Sequence, residues 1–358
     1  MAARTVSLRG SLRDALRRAF HWLRSAGHGG YGFLAALVAL AGVVALLAIP
    51  EVPRKLAPLG VLPAAIYYLG ATRRERRRAA LLRAPFDADD REVLERRVAF
   101  YRGLAQDDRA RFEREVQLFL GEQRVYALGA PGGGPAVDLT REHTVLIAAG
   151  AATLLLGRPE WRLPTTRDIV VYPGSFDQGT YEVSPMAHTL GLVHAQGPIL
   201  FSLPALLAAY PEQVEGAPDA DRPGHNVAVH EFAHVLDFLN NDGRAGGVPT
   251  MLSAPTQQRW HQQLSEERER LLMGASILDP YGLKTDPMGR GNDAELFAVS
   301  VEAFFQSPLR LRALHPRLYT LLAEFFNQDP AARVSRPAQA TLAFRPWFSL
   351  SAPVRYTA

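Results

Sequence analysis

The stretch Asn226-Val-Ala-Val-His-Glu-Phe-Ala-His-Val-Leu-Asp-Phe-Leu239 has the apolar periodicity of a buried helix. His230 and His234 are four positions apart, so on a helix their imidazoles lie one above the other and point to one spot. Glu231 is angled toward a water on a metal rather than toward the metal itself. Two buried imidazoles and a carboxylate are costly to desolvate without a partner. The stretch therefore predicts a zinc-binding helix with the geometry of a hydrolase.

Asp237 follows His234 by three positions and lies on the same face of the predicted helix. It is either a group that accepts a ring N–H from one of the histidines or an ordinary polar residue near a helix end. The helix is expected to stop at Asn240-Asn-Asp-Gly243, because Asn and Gly tolerate the left-handed backbone that ends helices.

A second apolar segment, Asn292 to Phe305, begins with residues that cap helices and is followed by Pro308. Glu295 and Glu302 are seven positions apart within it, so they share one face among Phe and Val. Two buried carboxylates are unfavourable without a nearby cation. We predict that Glu295 is the third metal ligand and that Glu302 supports the ligands from behind. The reverse assignment is the alternative.

Several segments, in the same order, resemble the Mlc titration factor A family of bacterial metallopeptidases. The resemblance spans residues 85 to 335. It implies a zinc-dependent peptidase with aminopeptidase-like activity on small peptides and a catalytic core related to the lethal-factor type of zinc protease. It also implies that some members bind the glucose repressor Mlc and lift its repression of sugar-uptake genes. The segments are His230-Glu-Phe-Ala-His-Val-Leu-Asp237, Asp279-Pro-Tyr-Gly282, Ala294-Glu-Leu-Phe-Ala-Val299 with Glu302-Ala-Phe-Phe305, and His315-Pro-Arg-Leu-Tyr319 with Gln328-Asp-Pro330.

Carried over by motif, the family's metal ligands are His230, His234 and Glu295, and its general base is Glu231. A family tyrosine that precedes the third ligand and steadies the oxyanion corresponds to Tyr281, since a phenol can donate to charge on a carbonyl oxygen.

The segment Lys284 to Gly291 departs from the family's pattern, because it stretches the interval between Tyr281 and Glu295 to fourteen positions. Tyr281 is therefore either the oxyanion donor or a plain loop tyrosine. The segment itself is either a mobile flap at the cleft or a surface loop.

Composition bounds the classes of protein that the chain can belong to. Its 358 residues, 47% of them apolar, allow one sizeable domain with additional segments. Residues 1–80 contain 13 Lys or Arg and three Asp or Glu, a net charge of +10, whereas the rest of the chain has a net charge of −6. The basic character belongs to the N-terminus, so direct nucleic-acid binding is not expected. The absence of cysteine excludes disulfides.

The N-terminal 80 residues contain two uncharged stretches, residues 33–49 and 56–71, with arginines on both outer flanks. By the positive-inside bias both flanks belong in the cytoplasm. We predict a transmembrane helical hairpin in the inner membrane, with the catalytic domain in the cytosol. A single span with the enzyme outside is one alternative. A cleaved signal peptide is another, which the arginines after residue 71 disfavour.

The remaining chain predicts an α/β (α+β) zincin-like metalloprotease domain over residues 81–335, followed by a tail at 336–358. Asp168 to Tyr172 and Ile199 to Leu203 have the composition of short strands. Ile199 to Leu203 is either an edge strand that pairs with the substrate backbone or a simple buried strand.

These expectations combine into one predicted function. The chain hydrolyses peptide bonds in a peptide or protein substrate with one Zn²⁺ per chain, and Glu231 takes the proton of the attacking water. The alternative is a regulatory protein that sequesters an Mlc-like transcription repressor at the membrane without catalysis.

Overall fold

The computed structural model describes most of the chain between residues 27 and 334. The chain divides into two compact units, residues 1–84 and 85–358. Tyr281 and the predicted tail at 336–358 lie outside the described residues, as does the Lys284 to Gly291 segment. The described ranges are 27–48, 54–129, 137–164, 167–177, 180–184, 189–194, 197–213, 225–240, 254–273, 278 and 293–334.

The first unit is helical. It contains α1 (Gly27–Ala48), a 3-10 helix (Arg54–Val61), α2 (Leu62–Ala71) and α3 (Arg73–Leu81). Proline lies inside the 3-10 helix and again in the first turn of α2, so the second apolar stretch is divided between two short helices.

Of the helices in the described ranges, none combines the length and the hydropathy that a membrane crossing requires. The predicted transmembrane hairpin at residues 33–49 and 56–71 is therefore not supported.

The second unit is mostly helical, with one small sheet. Its helices are α4 (Ala88–Arg97), α5 (Ala99–Arg102), α6 (Gln106–Glu122), α7 (Arg141–Leu155), α8 (Leu203–Ala209), α9 (Val227–Asn240), α10 (Ala254–Leu272), α11 (Asp293–Gln306), α12 (Pro308–Leu314), α13 (Pro316–Phe326) and α14 (Pro330–Arg333). Its strands are β1 (Arg124–Ala127), β2 (Asp168–Tyr172), β3 (Gly191–Val193) and β4 (Ile199–Ser202). This composition fits the α+β class expected of a metallopeptidase domain.

The four-stranded sheet has the order β1-β2-β4-β3, with β3 antiparallel to β4 and the other neighbours parallel. Strand β4 lies between β2 and β3, and every one of its residues is buried. The segment predicted as either an edge strand or a buried strand is therefore the buried one. The edge strands of the sheet are β1 and β3, and the three residues of β3 are too few to show strand periodicity in the sequence.

The core of the second unit surrounds α9, where every side chain from Asn226 to Phe238 is buried. Helices α7 and α11 pack on α9, and β3 and β4 lie against it as well. A smaller apolar cluster covers the opposite face of the sheet. A helix enclosed in this way can carry polar side chains only where they bind one another or a ligand.

Candidate metal centre

Three buried side chains from α9 and α11 direct nitrogen and oxygen atoms into one space. His234 Nε2 lies 3.2 Å from His230 Nε2 and 3.1 Å from Glu295 Oε1. His230 Nε2 lies 3.3 Å from Glu295 Oε2. The helical spacing of four aligns the two imidazoles, and Glu295 reaches them from the first turn of α11.

These distances fit a divalent metal ion. Zinc with bonds of about 2.0–2.1 Å to nitrogen and oxygen, arranged as a tetrahedron, holds neighbouring ligand atoms roughly 3.3 Å apart. The donor set of two imidazoles and one carboxylate is also that of catalytic zinc sites, in which three protein ligands leave the fourth position for water or substrate. The buried group His230, His234 and Glu295 can therefore hold a metal.

Glu302 lies behind His230, on the side away from the other two ligand atoms. Its Oε2 is 3.3 Å from His230 Nδ1, and its Oε1 accepts the backbone N–H of Asn226 and lies 3.6 Å from His225 Nδ1. A carboxylate in this place favours the proton on Nδ1 and leaves the Nε2 lone pair directed at the metal position. Of the two carboxylates weighed from the sequence, the structure thus places Glu295 at the ligand atoms and Glu302 behind them.

Glu231 is also buried, and its carboxylate lies against β3. A Cβ atom added to Gly191 would be 2.2 Å from Glu231 Oε1. The side chain therefore occupies space that any residue other than glycine at position 191 would fill. Burial raises the pKa of Glu231 to about 7, even though the neighbouring histidines His230 and His234 act in the opposite direction.

Comparisons with known proteins point to a metal-dependent family. The family model described as glucose-regulated metallo-peptidase M90 matches residues 71–327. The chain belongs to this family.

Among the proteins similar to this chain, an uncharacterised protein of Synechocystis sp. is 31% identical over 269 residues, which cover 71% of this chain and 89% of that protein. Mlc titration factor A of Pectobacterium atrosepticum is 29% identical over 174 residues, and that of Yersinia pestis is 28% identical over 180 residues. Each match covers 47% of this chain and 61% of the titration factor. The resemblance to the Mlc titration factor A family is confirmed.

The electrostatics of the centre follow from burial and from the opposed charges. Burial lowers the pKa of His230, but the carboxylates of Glu295 and Glu302 outweigh it and raise that pKa to about 10. Burial also opposes ionisation of the two glutamates, yet the histidines hold the pKa of both below the ordinary range. Without a metal, His230 thus retains a proton at neutral pH, and a metal ion would replace that proton.

The remaining residues predicted for the M90 site have different outcomes. Asp237 is buried on α9, one turn after His234. Tyr281 lies outside the described residues, so its role as an oxyanion donor stays a prediction.

Three residues of the site were missed by sequence reasoning. His225, which has no ligand spacing to another histidine in the sequence, lies beside Glu302. Asn226 caps α9, since its Oδ1 accepts the backbone N–H of Val229 at 3.1 Å, and an Asn before an apolar run is a signal that could have revealed it. Nothing in the sequence marks Gly191.

Proposed function

We propose that the protein is a zinc-dependent peptidase that uses His230, His234 and Glu295 as metal ligands and Glu231 as the general base. The observation that carries the proposal is the approach of the ligand atoms of the three side chains to within 3.1–3.3 Å of one another inside a closed core. Such a convergence of lone pairs is favourable when a cation lies between them.

Each residue of the site has a separate role in the proposed reaction. A zinc ion at this position supplies Lewis acidity toward the substrate carbonyl and lowers the pKa of water. Glu231 accepts the proton of the attacking water and donates it to the leaving amine. Glu302 holds His230 in the tautomer that keeps Nε2 free for the metal. Tyr281 donates to the oxyanion.

The edge of β3 from Gly191 to Val193 supports an extended peptide as the substrate, whereas Thr189, just before it, already pairs with Phe176. Leu190 and His194 bond to the neighbouring strand, since Ser202 N–H donates to Leu190 O at 2.8 Å and His194 N–H donates to Pro198 O at 3.3 Å.

In an antiparallel ladder these bonds alternate, so the N–H and C=O groups of Gly191 and Val193 point away from β4. Within the described residues, β3 pairs with no other strand from Gly191 to Val193. A peptide bound there as an added strand would run beside Glu231. Small peptides cleaved from the amino end are the expected substrates, in line with the family resemblance.

The test is metal analysis of the purified chain together with cleavage of a peptide library, with and without chelator. Glu231→Gln should keep the parent's zinc content and lose about a thousandfold in kcat, because the amide cannot accept the proton. Glu266→Gln, on a more exposed face of α10, is the matched control and should retain activity. Full peptidase activity in the Glu231→Gln variant would reject the mechanism.

A second function is supported by the relatives that are named Mlc titration factor A. The chain would bind an Mlc-like repressor and withhold it from its operators, with or without peptide cleavage. The Glu231→Gln variant separates the two functions, because repressor binding should survive the loss of catalysis. A pull-down with purified Mlc-like protein measures this, and failure of both the parent and the variant to bind it would reject the second function.

Attachment to the inner membrane, with catalysis on the cytosolic side, is part of the same proposal. Phe33, Leu40 and Ile66 of the first unit are 58%, 63% and 71% exposed, and the arginine-rich helix α3 follows in sequence. Apolar side chains beside arginines favour a surface with anionic lipids. Flotation of the full chain with anionic vesicles tests attachment, which charge-introducing Phe33→Glu and Leu40→Glu should weaken.

A further inference from the structure

Gly191 is the first residue of β3 and faces the Glu231 side chain. A Cβ atom on residue 191 would lie 2.2 Å from Glu231 Oε1 and 2.7 Å from both Cδ and Cγ of the same side chain. Carbon atoms that are not bonded to each other are most favourable at about 3.5–4.0 Å. Any side chain at position 191 would therefore collide with Glu231 where it now lies.

The backbone of Gly191 does not itself require glycine. The residue pairs with Phe201 in regular antiparallel register, and its φ lies outside the left-handed region. An alanine could adopt the same backbone conformation. The three atoms nearest to the added carbon all belong to Glu231, so the collision involves one side chain rather than the backbone.

We propose that Gly191 is a positioning residue, whose missing side chain lets the Glu231 carboxylate lie against the edge strand and next to the metal ligands. This inference rests on the proposed role of Glu231 as the base. Alanine at position 191 would displace the carboxylate. It would leave His230, His234 and Glu295 in place, because none of them is among the atoms nearest to the added carbon.

The proposed base and the proposed substrate-binding edge of β3 meet at the same residue, Gly191. The same residue that makes room for Glu231 directs its N–H and C=O groups away from β4, to the side on which β3 pairs with no other strand within the described residues. A peptide bonded to Gly191 would thus have a backbone amide beside the carboxylate. Displacement of a reacting group by about 1 Å can cost roughly a hundredfold in rate.

The first experiment compares Gly191→Ala with the parent chain in zinc content, kcat and KM. The zinc content should be unchanged, and kcat should fall roughly a hundredfold with little change in KM, because a misplaced base affects the chemical step. The matched control is Gly103→Ala. A carbon added to Gly103 would meet its nearest atoms at 3.6–3.9 Å, which is ordinary contact.

The second experiment measures the contact without using activity. Urea unfolding of the full chain, followed by tryptophan fluorescence, is compared for Gly191→Ala, Glu231→Ala and the double variant. Gly191→Ala should weaken folding in the parent but hardly at all once the Glu231 carboxylate is absent. The expected coupling is roughly tenfold in the unfolding equilibrium constant, as for residues in direct contact. Gly103→Ala should have the same effect in both backgrounds.

The outcomes separate this inference from the proposed function. Equal weakening by Gly191→Ala with and without the Glu231 carboxylate would overturn the positioning role, since the glycine would then serve strand packing alone. A parent that cleaves peptides but loses no kcat on Gly191→Ala would overturn it as well. A parent that shows the coupling yet cleaves no peptide would overturn the peptidase function, and the role in positioning a base with it.

Discussion

Two groups of buried histidine and glutamate side chains lie in the second unit, and they differ in where their polar atoms point. In the first, the metal cluster, His230, His234 and Glu295 direct Nε2 and carboxylate oxygen atoms into one space. In the second, the His315–Glu267 pair, His315 Nδ1 lies 2.6 Å from Glu267 Oε2, and both side chains are fully enclosed. Burial and composition are similar, so neither property distinguishes the two.

The difference lies in how the nitrogen and oxygen atoms are arranged. Each oxygen of Glu267 faces a different nitrogen, since His315 Nδ1 lies 2.6 Å from Oε2 and Gln263 Nε2 donates to Oε1 at 2.9 Å, and Arg270 Nη1 lies 4.0 Å from Oε1. The pair joins α10 to His315, which lies between α12 and α13, and it therefore has the character of a structural contact. In the metal cluster, two imidazole nitrogens and two carboxylate oxygens meet at 3.1–3.3 Å, where only a cation or shared protons can separate their lone pairs. Convergence of lone pairs, rather than burial, therefore indicates a metal site.

The largest effect is expected when one histidine is removed from each group and zinc affinity is measured. His234→Ala should weaken zinc binding several hundredfold, since zinc sites with four ligands bind with roughly 10–16 kcal/mol in total. His315→Ala should retain the parent's affinity, because its partner is Glu267 and not the metal cluster. Competition with a chromogenic chelator gives both values. A similar loss in the two variants would remove the distinction between the groups.

The next largest effect is on the free energy of unfolding, and here the loss is expected in the His315–Glu267 pair. His315→Ala should lower the free energy of unfolding by about 3 kcal/mol, because it leaves the buried Glu267 without the imidazole that faces it. Urea unfolding in the presence of chelator measures this without a contribution from metal. The double variant His315→Leu with Glu267→Leu should recover much of the loss. Additive losses in the double variant would show that the two side chains do not act as a pair.

The smallest effect is the dependence of zinc affinity on pH, which arises from a proton that zinc displaces. The pKa of His230 is raised to about 10. Between the ordinary pKa of histidine and pH 10, the metal-free cluster therefore holds a proton that a free histidine would have lost. Zinc must displace that proton, and the apparent affinity should rise with pH by up to about tenfold per unit in this range. This proton stabilises the metal-free fold fully at pH values below the ordinary pKa of histidine. The stabilisation is lost as the pH rises through 10.

Calorimetry at pH 7.5 in two buffers of different ionisation enthalpy measures the number of protons released. Glu302→Gln should reduce that number, because the amide no longer favours the charged imidazole. Glu267→Gln, in the other group, should leave it unchanged. Zinc binding without net proton release by the parent would contradict the electrostatics of the cluster.

Much of the candidate site could be predicted from local sequence. The interval of four between His230 and His234 places both imidazoles on one face of any helix, and the interval of seven does the same for Glu295 and Glu302. The same local logic was less reliable for membrane spans. A run of uncharged residues has the composition of a span, but proline divides residues 56–71 into a 3-10 helix and a helix of ten residues.

What the sequence by itself determined is the set of groups that share a helix face, because covalent geometry and helical pitch repeat along the chain. Only the tertiary structure decided that Glu295 meets the Nε2 atoms while Glu302 meets Nδ1, since this depends on how α11 packs across α9. It also placed Gly191, on an edge strand of three residues, against Glu231, which lies forty positions later in the sequence. Contacts between distant segments depend on packing, which has no period along the sequence.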